Sequence, residues 1–177
     1  MRFHRLIVGV LLAAWPLSMP VLADGMEDSA LCYEQFRGGD NKLAVYYCSR
    51  AIQSGDLTGG ELVTALLNRG VAYKQMGNLD LAIADYSAAL TRAPDDALLY
   101  SNRANAYREL GELGYALADA NHALEIDIEN ARAFYVRGAV FEAMGDTENA
   151  RKDYLRAYEL QPVNDDYRQK AETFGIR

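Results

Sequence analysis

His122, Asp119 and Glu125 are the residues of this chain whose types come closest to a reactive set. On a helix, carboxylates three positions before and after an imidazole share its side, an arrangement that could hold a metal ion. One imidazole and two carboxylates make a weak ligand set, and the same spacing describes an ordinary solvated face, so no metal site is expected. A Ser, His and Asp triad would need His122 to face a pocket, and nothing in its spacing asks for that. Cys32 and Cys48 are the only cysteines, sixteen positions apart, so the two-residue spacing of a redox dithiol is missing. Gly59 and Gly60 are not followed by the Lys and Ser or Thr that a phosphate-cradling loop requires. Arg69, Arg103 and Arg137 are each followed sixteen residues later by an aspartate: Asp85, Asp119 and Asp153. Acid, base and nucleophile candidates never converge, so neither a catalytic residue nor a cofactor is expected.

Charge removes another class of function. Lys and Arg number 18 against 25 Asp and Glu, a formal net charge of −7 over 177 residues. A broadly basic nucleic-acid surface needs the opposite excess. Half of the residues are apolar, enough to bury a core in one domain of ordinary size or a repeat array.

The first 23 residues read as an address. Arg2 and Arg5 precede an apolar run from Leu6 to Trp15, and Val21, Leu22 and Ala23 stand before Asp24. This is the pattern of a secretory signal cleaved after Ala23. Ten apolar residues are about half of what a membrane-spanning helix needs, and Pro16 and Pro20 interrupt any extension. Cleavage would remove Arg2 and Arg5 and take the charge from −7 to −9. An exported, periplasmic protein with no membrane insertion is the expectation; the absence of an Asn followed two residues later by Ser or Thr favours bacterial export.

Elements that could position these residues come from a period of 34. Gly77, Gly111 and Gly145 are 34 apart, as are Ala82, Ala116 and Ala150, Ala89, Ala123 and Ala157, and Tyr73, Tyr107 and Phe141. Within one period, Leu66, Gly70 and Tyr73 mark one face of a first helix and Ala82, Tyr86, Ala89 and Leu90 one face of a second. Each unit is a helical hairpin turning at its glycine. Small residues at Gly70, Ala82 and Ala89 let the backbones approach, while Tyr73 and Tyr86 fill space toward the next unit. No hairpin can bury its face alone, so stacking must supply the core. Thr58 with Glu61 has capping-box spacing, and Asp95, Asn130 and Asp146 offer side-chain oxygens at helix starts.

The chain resembles the tetratricopeptide repeat family. That family's run of Leu or aromatic, small residue, aromatic, Gly, Ala, aromatic, Ala and Pro is similar to Leu66, Gly70, Tyr73, Gly77, Ala82, Tyr86, Ala89 and Pro94. A second copy holds Ala120 at the second-helix aromatic and Ile128 in place of Pro; a third runs from Phe134 to Pro162. The resemblance implies an all-α, right-handed superhelical solenoid of antiparallel hairpins. Its parts would be a degenerate first hairpin at 24–58, full repeats at 63–96, 97–130 and 131–164, and a capping helix at 165–177.

The family's register gives the remaining residues a place. It puts Cys32 and Cys48 opposite each other across the first hairpin, where an oxidising compartment would let them pair; the alternative is two small buried hydrophobes. Each Arg stands where the family usually has a Leu, and its recurrence with an Asp sixteen residues later points to a half-buried structural ion pair within the hairpin. The first hairpin has Leu31 and Tyr47 there, so both partners are lost together. In related proteins the first-helix face that the core leaves free forms a concave groove for extended peptides or partner helices. Here that strip holds Leu67, Val71 and Lys74, then Ser101, Asn102, Asn105 and Arg108, then Arg132, Tyr135 and Glu142. The cations and amides favour an acidic ligand or a C-terminal carboxylate. Some family members clamp acidic tails of heat-shock chaperones with two carboxylate sites. Asn102 and Arg132 match that clamp, but Leu67, Val71 and Val136 replace its other members, so the clamp is not carried over. The expected function is a non-enzymatic protein-binding module, monomeric or weakly dimeric, with an accessory subunit of an envelope assembly, docking by its convex face or last helix, as the alternative.

Overall fold

The computed structural model describes residues 25–175, so the proposed signal at 1–23 lies outside the described residues. Nine α-helices occur in this span, with no strand among the described residues. They are α1 (Gly25–Gly38), α2 (Asn41–Ser54), α3 (Gly59–Gln75), α4 (Leu79–Leu90), α5 (Ala97–Leu110), α6 (Leu113–Ile126), α7 (Ala131–Ala143), α8 (Thr147–Leu160) and α9 (Asp165–Thr173). Each packs on its chain neighbours, and the first helices of successive hairpins also touch, α1 with α3, α3 with α5 and α5 with α7. The result is an all-α solenoid.

Local chemistry sets the helix ends. Thr58 and Glu61 form a reciprocal capping box at α3, while Asn130 and Asp146 cap α7 and α8 through the amides of Ala133 and Asn149. At α5 the cap is Asp96 and not Asp95: Asp96 has extended backbone and accepts from the amides of Leu98 and Leu99. Asp96 is also the position 34 residues before Asn130 and 68 before Asn164, the caps of α7 and α9, so the repeat register carries the cap to it. Gly77, Gly111 and Gly145 sit at φ between +79° and +89°, a left-handed conformation that stops each first helix at little cost only for glycine.

One pair of positions, sixteen apart, decides how closely each hairpin closes. A Cβ on Gly70 would lie 2.6 Å from the Tyr86 ring, and one on Gly138 would lie 3.0 Å from Tyr154. The ring of Tyr86 therefore lies over Gly70 of its own hairpin as well as beside Leu99 and Ala106 of the next. In the third hairpin the same positions hold Ala104 and Ala120, which share a small cluster with Val136. In the first hairpin they hold Cys32 and Cys48, joined as a disulfide with Cα atoms 4.7 Å apart and buried beside Ala65 of α3. Glycine with tyrosine, alanine with alanine and the disulfide are three solutions to one packing problem.

Candidate functional site

Three side-chain networks lie on or beside the first helices. In the first, Arg69, Arg103 and Arg137 make forked contacts with Asp85, Asp119 and Asp153: each Nε and Nη2 donates to the two carboxylate oxygens at 2.6–2.9 Å. The carboxylates are buried and the arginines mostly so. Each Nη1 reaches back to the preceding hairpin, to Ser49, Ser87 and Asn121, at 2.9–3.0 Å. Arg103 and Arg137 are also flanked by two rings each, Tyr100 with Tyr107 and Phe134 with Phe141. Each guanidinium thus ties two hairpins together. The three acceptors of the backward contact share one repeat position, a signal present in the sequence but obscured by its change from Ser to Asn.

The second network centres on Asn102. Its side chain is buried, donates Nδ2 to the Leu98 carbonyl at 2.9 Å and accepts from Arg132 Nη1 at 2.9 Å. Arg132 is exposed and has no further hydrogen-bond or ion-pair partner among the described residues. A buried amide therefore aims an arginine that keeps donors to spare. The Tyr86 hydroxyl is buried without a hydrogen-bond partner. Burial pushes this phenol well above its usual range; the Arg132 charge opposes that rise, while Asp85 and Glu109 reinforce it.

The third network follows the last turns of the first helices. Lys74 Nζ donates to Glu109 Oε1 at 3.3 Å, Arg108 donates to the same oxygen at 3.4 Å, and Arg108 also holds Asn105 Oδ1 at 3.0–3.1 Å. Farther along, Glu142 accepts from the Tyr154 hydroxyl at 2.5 Å and from Lys170 of α9 at 2.8 Å. Burial alone would raise the Glu142 carboxyl, but the bonds from Lys170 and Tyr154 outweigh it and hold the group below its usual range. Between Arg108 and Glu142 opens a pocket of about 290 Å³ with Tyr135 and Lys170 in its wall. Tyr135 stacks on Tyr167 of α9, centroids 4.9 Å apart.

Of the proposed groove strip, then, Lys74, Asn105 and Arg108 share one network, Asn102 and Arg132 another, and Tyr135 and Glu142 line the pocket with Arg108. Leu67 and Val71 are half-buried against the cluster around Tyr86, and Ser101 is fully buried with its hydroxyl on the Leu98 carbonyl. Glu109, Tyr86, Tyr154 and Lys170 belong to the site and were not singled out for it from sequence. Lys170, 34 residues after Val136 and 68 after Asn102, sits on a helix read only as a cap, and the tyrosines read as packing. His122 Nδ1 meets Glu125, its ring lies edge-on to Tyr100, and Asp119 is taken by Arg103.

Comparisons with known proteins agree with this architecture. Tetratricopeptide repeat family models match residues 63–96 and 131–164. No curated protein sequence matches the chain. Among solved structures, the first TPR of Spaghetti (RPAP3) bound to HSP90 peptide SRMEEVD is 30% identical, with 65% of this chain and 91% of that one covered and a TM-score of 0.59. The first TPR domain of the human RPAP3 protein is 31% identical, covering 64% and 90% at a TM-score of 0.61. The MamA protein, 19% identical, covers 85% and 80% at a TM-score of 0.69 and shares the fold. With the 34-residue hairpins, the turn glycines and these matches together, the chain belongs to the tetratricopeptide repeat family.

Proposed function

We propose that this chain is a protein-interaction module that binds an acidic, extended peptide or partner helix along the free face of α3, α5 and α7. The observation that carries the reading is Arg132, held by the buried Asn102 yet left with unused donors at the surface. Holding one N–H in place lowers the ordering cost of a charge-assisted bond to a ligand carboxylate. Leu67, Val71 and Tyr135 supply apolar contact, and Lys74, Asn105 and Arg108 a polar rim. The likeness to a tetratricopeptide domain bound to the acidic peptide SRMEEVD supports this ligand class.

The module works after export, in the periplasm, with residues 1–23 removed. The buried Cys32–Cys48 disulfide supports an oxidising compartment. No helix among the described residues is long and apolar enough to cross a membrane.

The test uses the heptapeptide SRMEEVD as an acidic probe in isothermal titration at low salt. Binding should weaken with added salt, and by about tenfold or more in Arg132→Ala. Unchanged affinity in Arg132→Ala, with an unchanged melting temperature, overturns the groove as the binding face.

A further inference from the structure

A second opening lies away from the first-helix groove, between α7 and α8 and under the loop before α7. It has a volume of about 600 Å³ and is walled by Phe134 and Phe141 on one side and Asn149, Lys152 and Arg156 on the other, with Ile128 at its lip. The middle full repeat fills the equivalent space with two rings. There, Tyr115 lies against Tyr107 with centroids 5.3 Å apart, and His122 lies edge-on to Tyr100 at 4.5 Å. One repeat later those two fillers are Asn149 and Arg156, 34 residues on from Tyr115 and His122. The flanking aromatic positions are kept, as Phe141 and Phe134, but the rings that packed on them are gone.

Charge changes at the same place. Lys152 and Arg156 stand where the middle repeat has Ala118 and His122, and where the repeat before it has Ala84 and Ala88. The floor adds no net charge, since Arg137 and Asp153 neutralise each other. Lys152 and Arg156 are held by Glu148 and Glu159 of α8, pairs that are exposed and therefore weak. Neither glutamate lines the opening. Ile128, 71% exposed, replaces the proline that ends the other full repeats and adds an apolar lip. On a chain of net charge −7, this is a cationic mouth over a partly aromatic floor.

We infer that the crevice between Phe134, Phe141, Lys152 and Arg156 is a docking site for an acidic segment of a partner protein that presents one aromatic side chain. The incoming ring takes the place that Tyr115 fills in the preceding repeat and packs on Phe141, with Phe134 and Ile128 lining the rest of the opening. Carboxylates beside it displace Glu148 and Glu159 from Lys152 and Arg156. The site is independent of Arg132 and of the face of α3, α5 and α7.

The test is an amide chemical-shift titration of the full mature chain with the capped pentapeptide Asp-Asp-Phe-Asp-Asp. Saturable shifts are expected for amides of 134–141 and 149–156. They should be at least about tenfold weaker with Ala in place of Phe, or with Lys in place of the four Asp. Asn149→Tyr with Arg156→His closes the crevice with the middle repeat's own fillers and should abolish the shifts while leaving the rest of the spectrum in place. Shifts that leave 149–156 of α8 unmoved, equal shifts with the Ala peptide, or shifts that survive in the closed variant overturn the assignment. So do peptide-free shifts at 134–156 that grow with protein concentration, which would make a second copy of this chain the occupant.

Discussion

Arg103 shows what a single side chain contributes here. It meets Asp119 with two donors and Ser87 with a third, between the rings of Tyr100 and Tyr107. Asp119 is 8% exposed, so Arg103→Met would strand a buried carboxylate and should cost about 3 kcal/mol in urea unfolding. Arg103→Met with Asp119→Leu removes both charges and should recover most of that loss. Recovery of less than about half would mean that Ser87 and the flanking rings, more than the ion pair, carry the stabilisation. The recurrence of Arg and Asp at a spacing of sixteen was plain in the sequence because it repeats three times. The third donor was not, because its acceptors Ser49, Ser87 and Asn121 change type and the first lies 20 residues from its arginine. Asn102 was legible as a polar residue on a free face, but its burial was not; only the fold shows that Leu98 and Arg132 satisfy it.

At the level of elements, α9 is held differently from the other helices. Tyr167 stacks on Tyr135, Phe174 packs 5.0 Å from Tyr154, and Lys170 spans the Glu142 carboxylate and the Tyr154 ring. Because Lys170 and Tyr154 hold the Glu142 carboxyl below its ordinary range despite burial, the folded state favours its ionised form. That stabilisation is present above the unfolded value of about 4.3 and is lost as pH falls through the lowered folded value. The α9 resonances should therefore titrate with a midpoint below that of an ordinary glutamate, and Glu142→Gln should remove the step. An α9 signal that shifts unchanged in the variant would place the acid sensitivity elsewhere. The existence of this helix was readable from Tyr167, Ala171 and Phe174 falling on one side. Its partners were not, since nothing in a 34-residue period announces which residues of the last hairpin a cap will touch.

Over the whole molecule, stability is a sum of hairpins and the contacts between neighbours. The Cys32–Cys48 disulfide closes only the first hairpin, which lacks the Arg and Asp pair and the filling tyrosine. Cys32→Ala with Cys48→Ala should thus cost about 3 kcal/mol in α1 and α2, read as faster amide exchange there, with α5 to α8 little changed. Equal acceleration throughout would show a molecule that opens as one unit. Periodicity revealed the array because identical hairpins leave identical marks, whereas the ends, built from unlike residues, were the least readable. The backward contact of each arginine has one more outcome. Its socket, at Ser49, Ser87 and Asn121, is interchangeable, and it stops at both margins, where Leu31 replaces the arginine and Leu155 and Ala171 replace socket and arginine. A gene that lost the stretch encoding 97–130 would bring Arg137 to Ser87 and rejoin the array with the same bond. The lineage can lengthen or shorten this protein by whole units with this one joint remade each time.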